Sequence, residues 1–205
     1  MTKVSRKKRP INRIEHPLRD TRLIVIATEG RETEKQYFNI FHSRRVQILI
    51  LPTGEDNASA PQHVIERLNN YNKDHSFEKN DGLWLMIDVD RWLDQTLSEV
   101  AQEARTKKYK LAVSNPCFEI WLLCHRQSPP KDSLNCTEIK GILKNSLGGS
   151  YNSANLDLDA FKDRVDDAIE IAERTDPSPA SRWPIGTGTH VYRLVQSIRA
   201  AHGVK

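Results

Sequence analysis

The stretch Gly82-Leu83-Trp84-Leu85-Met86-Ile87-Asp88-Val89-Asp90 decides how this chain folds. Five consecutive apolar residues run into two carboxylates spaced one residue apart. A short, wholly apolar run suits a strand buried on both faces, as in a parallel sheet. Such a strand hands the residues that follow it to the carboxyl edge of the sheet, where open α/β folds bind ligands. Here those residues are Asp88 and Asp90, hard oxygen donors suited to Mg²⁺ or Mn²⁺. A second apolar run, Leu23-Ile24-Val25-Ile26-Ala27, leads through Thr28 to Glu29 and Gly30. If the two strands lie parallel and close, Glu29, Asp88 and Asp90 converge on one rim.

The flanking sequence alternates strands and helices. Strand one spans 22–28, and Gly30 allows a tight turn after it. Thr33 with Gln36 fits a capping box, and Tyr37, Phe38, Ile40 and Phe41 give the following helix its apolar face. Val46 to Leu51 reads as strand two, stopped by Pro52-Thr53-Gly54, with a loop over 55–60. Pro61 starts a helix with Val64, Ile65, Leu68 and Tyr71 inward. Strand three covers 83–88, a helix 94–105, and strand four Tyr109 to Val113. Asn115-Pro116 then reads as a helix start with Pro at its first position. The alternation predicts an α/β fold: a parallel four-stranded sheet with helices on both faces. Beyond Ser128-Pro129-Pro130 the pattern turns helical. Thr137 caps a helix ended by Gly148-Gly149, a second helix covers 158–174, and Thr189 opens a third. The expected organisation is an arm over 1–20, an α/β core over 21–126 and a helical C-terminal extension over 127–205 packed on that core.

The net charge of +4 belongs to the arm. Residues 1–20 hold seven basic side chains and two acids, a net of +5, which leaves −1 for the rest. Arg6, Lys7, Lys8 and Arg9 form a run of the kind that holds phosphate backbones; such runs also serve as solubilising termini. No run of about 18 apolar residues is present to cross a membrane, and the basic start lacks the apolar segment of a secretory signal. Three cysteines, Cys117, Cys124 and Cys136, are poor material for a disulfide framework and point to a reducing, cytoplasmic setting. No Cys-x-x-Cys spacing signals structural zinc, so buried thiols are the simpler reading. Gly186-Thr187-Gly188 lacks the dinucleotide fingerprint, and there is no P-loop.

The acids carry the chemistry. Phosphoryl transfer needs clustered carboxylates because a divalent cation must be held while it neutralises phosphate charge. Asp88 and Asp90 fall on one side of an extended chain and repel unless a cation or proton lies between them. The bland alternative is a capping Asp90 and a solvent-facing Asp88. Glu29 suits a metal ligand or general base, or a helix-start acid. Glu32 and Glu34 fit that last role better and are expected to face out. Glu119, near the start of the helix after strand four, is a further metal-ligand candidate or a dipole partner. Ser114 and Asn115 suit phosphate orientation or capping. Arg91 suits a phosphate contact or a pair with Asp94. Trp84, Trp92, Trp121 and Trp183 read as core. His190 and His202 have no matching carboxylate in sequence and read as ordinary.

Three segments together resemble a known family. They are Ile26-Ala27-Thr28-Glu29-Gly30 with Thr33-Glu34 and Tyr37-Phe38; Ile87-Asp88-Val89-Asp90; and Ser114-Asn115-Pro116-Cys117-Phe118-Glu119-Ile120-Trp121-Leu122-Leu123 with His125. Their combination resembles the RloB family, which is similar to the second component of the AbiL abortive-infection system. The likeness runs from Arg22 to His125 and extends loosely through Pro184, Gly186, Thr187, Val191 and Leu194. It implies a Toprim-like (Rossmann-like) fold in which Glu29, Asp88 and Asp90 bind Mg²⁺ and serve strand cleavage. Glu119 belongs to the RloB pattern rather than to Toprim generally. The family also implies an ABC-type or AAA-like ATPase partner in bacterial anti-phage defence. No Toprim-linked tyrosine domain is recognisable, which favours hydrolysis of DNA or RNA over a covalent tyrosyl intermediate. Two alternatives stay open: a non-catalytic adaptor or sensor of the ATPase complex, and, less well supported, a nucleotide-sugar transferase using Asp-x-Asp with Mn²⁺.

Overall fold

The computed structural model describes residues 21–54, 59–89, 92 and 94–202 of the chain. The arm, with Arg6, Lys7, Lys8 and Arg9, lies outside them, as do Asp90 and Arg91. The described chain folds in the order β1 (Arg22–Thr28), α1 (Thr33–Tyr37), β2 (Val46–Leu51), α2 (Pro61–Asp74), β3 (Gly82–Asp88), α3 (Asp94–Thr106), β4 (Lys110–Asn115), α4 (Glu119–Cys124), α5 (Cys136–Ser146), α6 (Val165–Thr175), β5 (Gly188–Thr189) and α7 (Val191–His202). Short 3₁₀ turns follow α1 and precede α6.

The sheet runs β2-β1-β3-β4-β5. Its first four strands are parallel, and β5 pairs antiparallel with the end of β4. Five strands stand where the apolar runs predict four. The fifth has only two residues, in a Pro- and Gly-rich loop, and so has no apolar run to announce it. β1 and β3 are buried along most of their length because both sheet faces are covered. Alternate residues serve opposite cores. Ile24, Ile26, Trp84 and Met86 pack with Tyr37, Phe38, Trp121, Phe161, Leu194 and Ile198 on one face. Val25, Ala27, Leu85 and Ile87 pack with Leu68, Leu97 and Val100 from α2 and α3 on the other.

Several local expectations give way to tertiary contacts. Asn115 belongs to β4, and its side chain donates to the Pro184 carbonyl at 3.0 Å instead of capping a helix. The Asn115–Pro116 peptide is cis, and α4 begins at Glu119, three residues after the proline. The Ser114 hydroxyl pairs with that of Thr189 at 2.8 Å, across the β4–β5 ladder. Thr33 and Gln36 form no capping box: both reach the Ser153 carbonyl, across the chain. Asn135, not Thr137, caps α5, in a reciprocal box with Glu138. The expected 158–174 helix is two 3₁₀ turns followed by α6. Among the described residues, no helix is long and apolar enough to cross a membrane.

Candidate functional site: an acid-lined cleft at the sheet's switch point

Chain direction across the sheet reverses at β1. From β1 the next strand, β2, lies to one side, and β3 lies to the other. Loops leaving β1 and β3 therefore diverge, and a crevice opens between their carboxyl ends. Glu29 leaves β1 and Asp88 ends β3 at this point. The Asp88 backbone N–H donates to Glu29 Oε2 at 3.2 Å. The loop bearing Glu29 is held from behind. Thr53 donates its hydroxyl to the Glu29 carbonyl at 2.7 Å, and Arg67 donates to the Thr28 carbonyl at 2.7 Å. The Trp92 indole N–H lies 3.1 Å from both carboxylate oxygens of Glu29 and orients the group. Trp92 reads as core in the sequence; here it is half-buried and serves the cleft.

The cleft has a volume of about 200 Å³, and its acids are Glu29, Glu34, Asp88 and Glu119. Arg31 and Lys140 add positive charge to its wall. Glu34 corrects the sequence reading, because it is buried instead of facing out. Burial pushes its carboxyl up to about 7. Hydrogen bonds from the Glu34 and Gly30 backbone oppose that rise, and the charges of Glu119 and Glu29 reinforce it. A Cβ at Gly30 would meet the Glu34 carboxylate, so a side chain there would displace that group from its present place. A signal for Glu34 was present in the sequence: residues 34, 37, 38 and 41 share one helical face.

Glu119 lines the same cleft and is also buried. Tyr151 donates its hydroxyl to Oε1 at 2.9 Å, and the Lys140 ammonium lies 3.4 Å from the same oxygen. Burial, then Glu119's charge, holds the Tyr151 phenol far above its ordinary value, so it stays a donor. Oε2 lies 3.8 Å from Cys136 Sγ. Cys136 and Cys117 form a disulfide, which corrects the expectation of buried thiols; only Cys124 is free among the described cysteines. The two partners are 19 residues apart in sequence, a spacing with no motif attached to it.

Of the predicted site residues, Glu29, Asp88 and Glu119 line this cleft together. Asp90, Arg91 and the arm's Arg6 to Arg9 lie outside the described residues. His190 acquires the carboxylate that its sequence neighbourhood lacks. Its Nε2 lies 3.1 Å from Asp176 Oδ2, with both side chains fully buried. Burial and nearby Arg193 lower its pKa, against the pull of Asp176. Tyr192 donates to the same Asp176 oxygen at 3.1 Å, and Arg193 approaches it at 3.5 Å.

Fold and cleft together define an α/β protein with a carboxylate cluster at the switch point of a mostly parallel sheet. The chain belongs to the RloB family: the family of RloB-like proteins matches residues 24–198. No curated protein and no solved structure matches it.

Proposed function

We propose that the chain is a metal-dependent nuclease of Toprim-like fold, hydrolysing phosphodiesters of DNA or RNA as the effector of an anti-phage defence system with a partner ATPase. The observation that carries this reading is the meeting of Glu29 with Asp88 at the switch point, in a cleft that Glu34 and Glu119 also line. Four carboxyl groups around so small a volume repel one another. Burial is the main cause of the rise of Glu34 to about 7, and the charges of Glu119 and Glu29 add to it; a divalent cation would relieve the repulsion. The donor set, all carboxylate oxygen on this wall, suits Mg²⁺ or Mn²⁺. Glu29 and Asp88 would hold the ion, joined by Asp90 from the next residues of the chain. Bound there, it supplies charge neutralisation at the phosphate and a more acidic water. Glu29, oriented by Trp92, is the proton acceptor within this chain. Arg31 and Lys140 give phosphate oxygens a cationic border on an otherwise acidic cleft.

The test is cleavage of plasmid DNA and total tRNA under Mg²⁺ and Mn²⁺, by the chain alone and with its neighbouring ATPase. Glu29→Gln and Asp88→Asn are each expected to lower cleavage by at least ~100-fold, the scale of removing a metal-site group, while melting temperature stays within a few degrees. Wild-type rates in the Asp88→Asn protein would falsify the assignment.

A second reading has one observation of its own. Both oxygens of Glu29 already accept hydrogen bonds, from Trp92 and the Asp88 backbone, so the acid is satisfied without a cation. That suits an adaptor subunit whose acids grip the ATPase. Calorimetric titration separates the two: the nuclease reading expects a sub-millimolar Mg²⁺ or Mn²⁺ site that Asp88→Asn removes.

A further inference from the structure

Around Glu119 the cleft adjoins a second donor set, of different chemistry. Cys117 Sγ, the Glu119 carboxylate and Cys136 Sγ each offer an atom, and these atoms lie within 4.8 Å of one another. We infer that the reduced chain binds a thiophilic divalent cation, Zn²⁺, through Cys117, Glu119 and Cys136, and that the disulfide is the metal-free alternative of the same site.

Geometry supports the site. Tetrahedral zinc with Zn–S of about 2.3 Å and Zn–O of about 2.0 Å sets its donors roughly 3.5–3.8 Å apart. Glu119 Oε2 and Cys136 Sγ stand 3.8 Å apart. Opening the S–S bond lets the two sulfurs move apart toward that spacing. The donors come from segments that are already fixed. Cys117 follows β4, Glu119 begins α4, and Cys136 is the first residue of α5, which Asn135 caps. Tyr151 and Lys140 bind the other carboxylate oxygen and turn Oε2 toward the sulfurs. Cys136 is half-exposed on the cleft, beside a helix N-terminus and within a turn of Lys140. Three protein donors leave a fourth position open to the cleft, where water completes the shell.

The exchange balances. A dithiol reductant gives two electrons and two protons to the S–S bond and ends as its own cyclic disulfide. Zn²⁺ then displaces the two thiol protons. In reverse, a small-molecule disulfide and two protons convert the zinc-bound pair to the protein disulfide, two small thiols and free Zn²⁺. Metal occupancy of the cleft wall thus follows the thiol–disulfide poise of the surroundings.

Co²⁺ serves as the optical probe. The full chain, reduced and stripped of metal, is expected to bind one Co²⁺ with a thiolate-to-cobalt charge-transfer band, which Zn²⁺ bleaches. The oxidised chain shows no band. Cys136→Ser abolishes it, Glu119→Gln weakens Co²⁺ binding at least tenfold, and Cys124→Ser leaves it unchanged. Circular dichroism confirms that each variant is folded. A reduced wild-type chain with no thiolate band, or a band that survives Cys136→Ser, overturns the inference. The readout is sulfur ligation, so either result leaves the nuclease reading untouched.

Discussion

Buried ionisable side chains set the pH behaviour of this protein. His125 is fully buried; its Nδ1 pairs with the Trp121 carbonyl at 3.0 Å and its Nε2 with the Tyr37 hydroxyl at 3.0 Å. Those partners suit a neutral ring that donates from Nδ1 and accepts at Nε2. Burial holds its pKa down to about 4. Between about 4 and the ordinary 6.5 the unfolded chain binds a proton that the folded chain refuses. The contribution is therefore whole above pH 6.5 and is lost as pH falls through 4. At pH 5 the loss is about 2 kcal/mol relative to pH 7.5, within a ceiling of about 3 kcal/mol. Urea denaturation at the two pH values checks it: His125→Gln flattens the dependence, and an equally steep variant rejects this origin.

At the scale of elements, α5 matters more to the cleft than its surface position suggests. It delivers Cys136 and Lys140 to the Glu119 wall while burying only Ile139 and Leu143. Its start is fixed by the Asn135–Glu138 box, with bonds of 2.8 and 3.0 Å. Asn135→Ala is expected to cost about 1 kcal/mol of global stability. It also loosens the Cys136 end, read as faster amide exchange at 136–139 before any change at α7. Uniform exchange across both helices would show that the cap does not set local order here. The comparison of α1 and α4 with their sequence patterns teaches a related lesson. Both carry plausible cap residues, yet Thr33 and Asn115 spend their side chains on distant carbonyls, at Ser153 and Pro184. A cap signal competes with every acceptor that the fold brings near.

For the whole molecule, the helices after residue 127 complete the core. Leu143, Phe161, Val191, Leu194 and Ile198 are fully buried against the face that carries Ile24, Ile26 and Trp84. Burial of each such side chain contributes about 1.5–3 kcal/mol. Five of them rival the ~5–15 kcal/mol that separates a folded domain from its unfolded chain. A chain ending at residue 126 is expected to show no cooperative thermal transition and to bind hydrophobic dyes. A sharp melt of that fragment would show that the sheet with α1 to α4 stands alone.

The apolar runs of β1 and β3 were readable in sequence because a strand buried on both faces must be apolar at nearly every position. The α/β class follows from that one requirement together with parallel connections, and the meeting of Glu29 with Asp88 needed in addition that β1 and β3 be neighbours, which the strand order supplies. Glu34 was legible in principle, through its helical phase with Tyr37, Phe38 and Phe41. What only the tertiary structure decided is every contact between distant segments: the Trp92 bond to Glu29, the Asp176 partner of His190, the two-residue β5, and the meeting of Cys117, Glu119 and Cys136. A periodic pattern records which face of an element is apolar. It holds no record of which polar group arrives opposite from far along the chain, because that depends on how the elements pack.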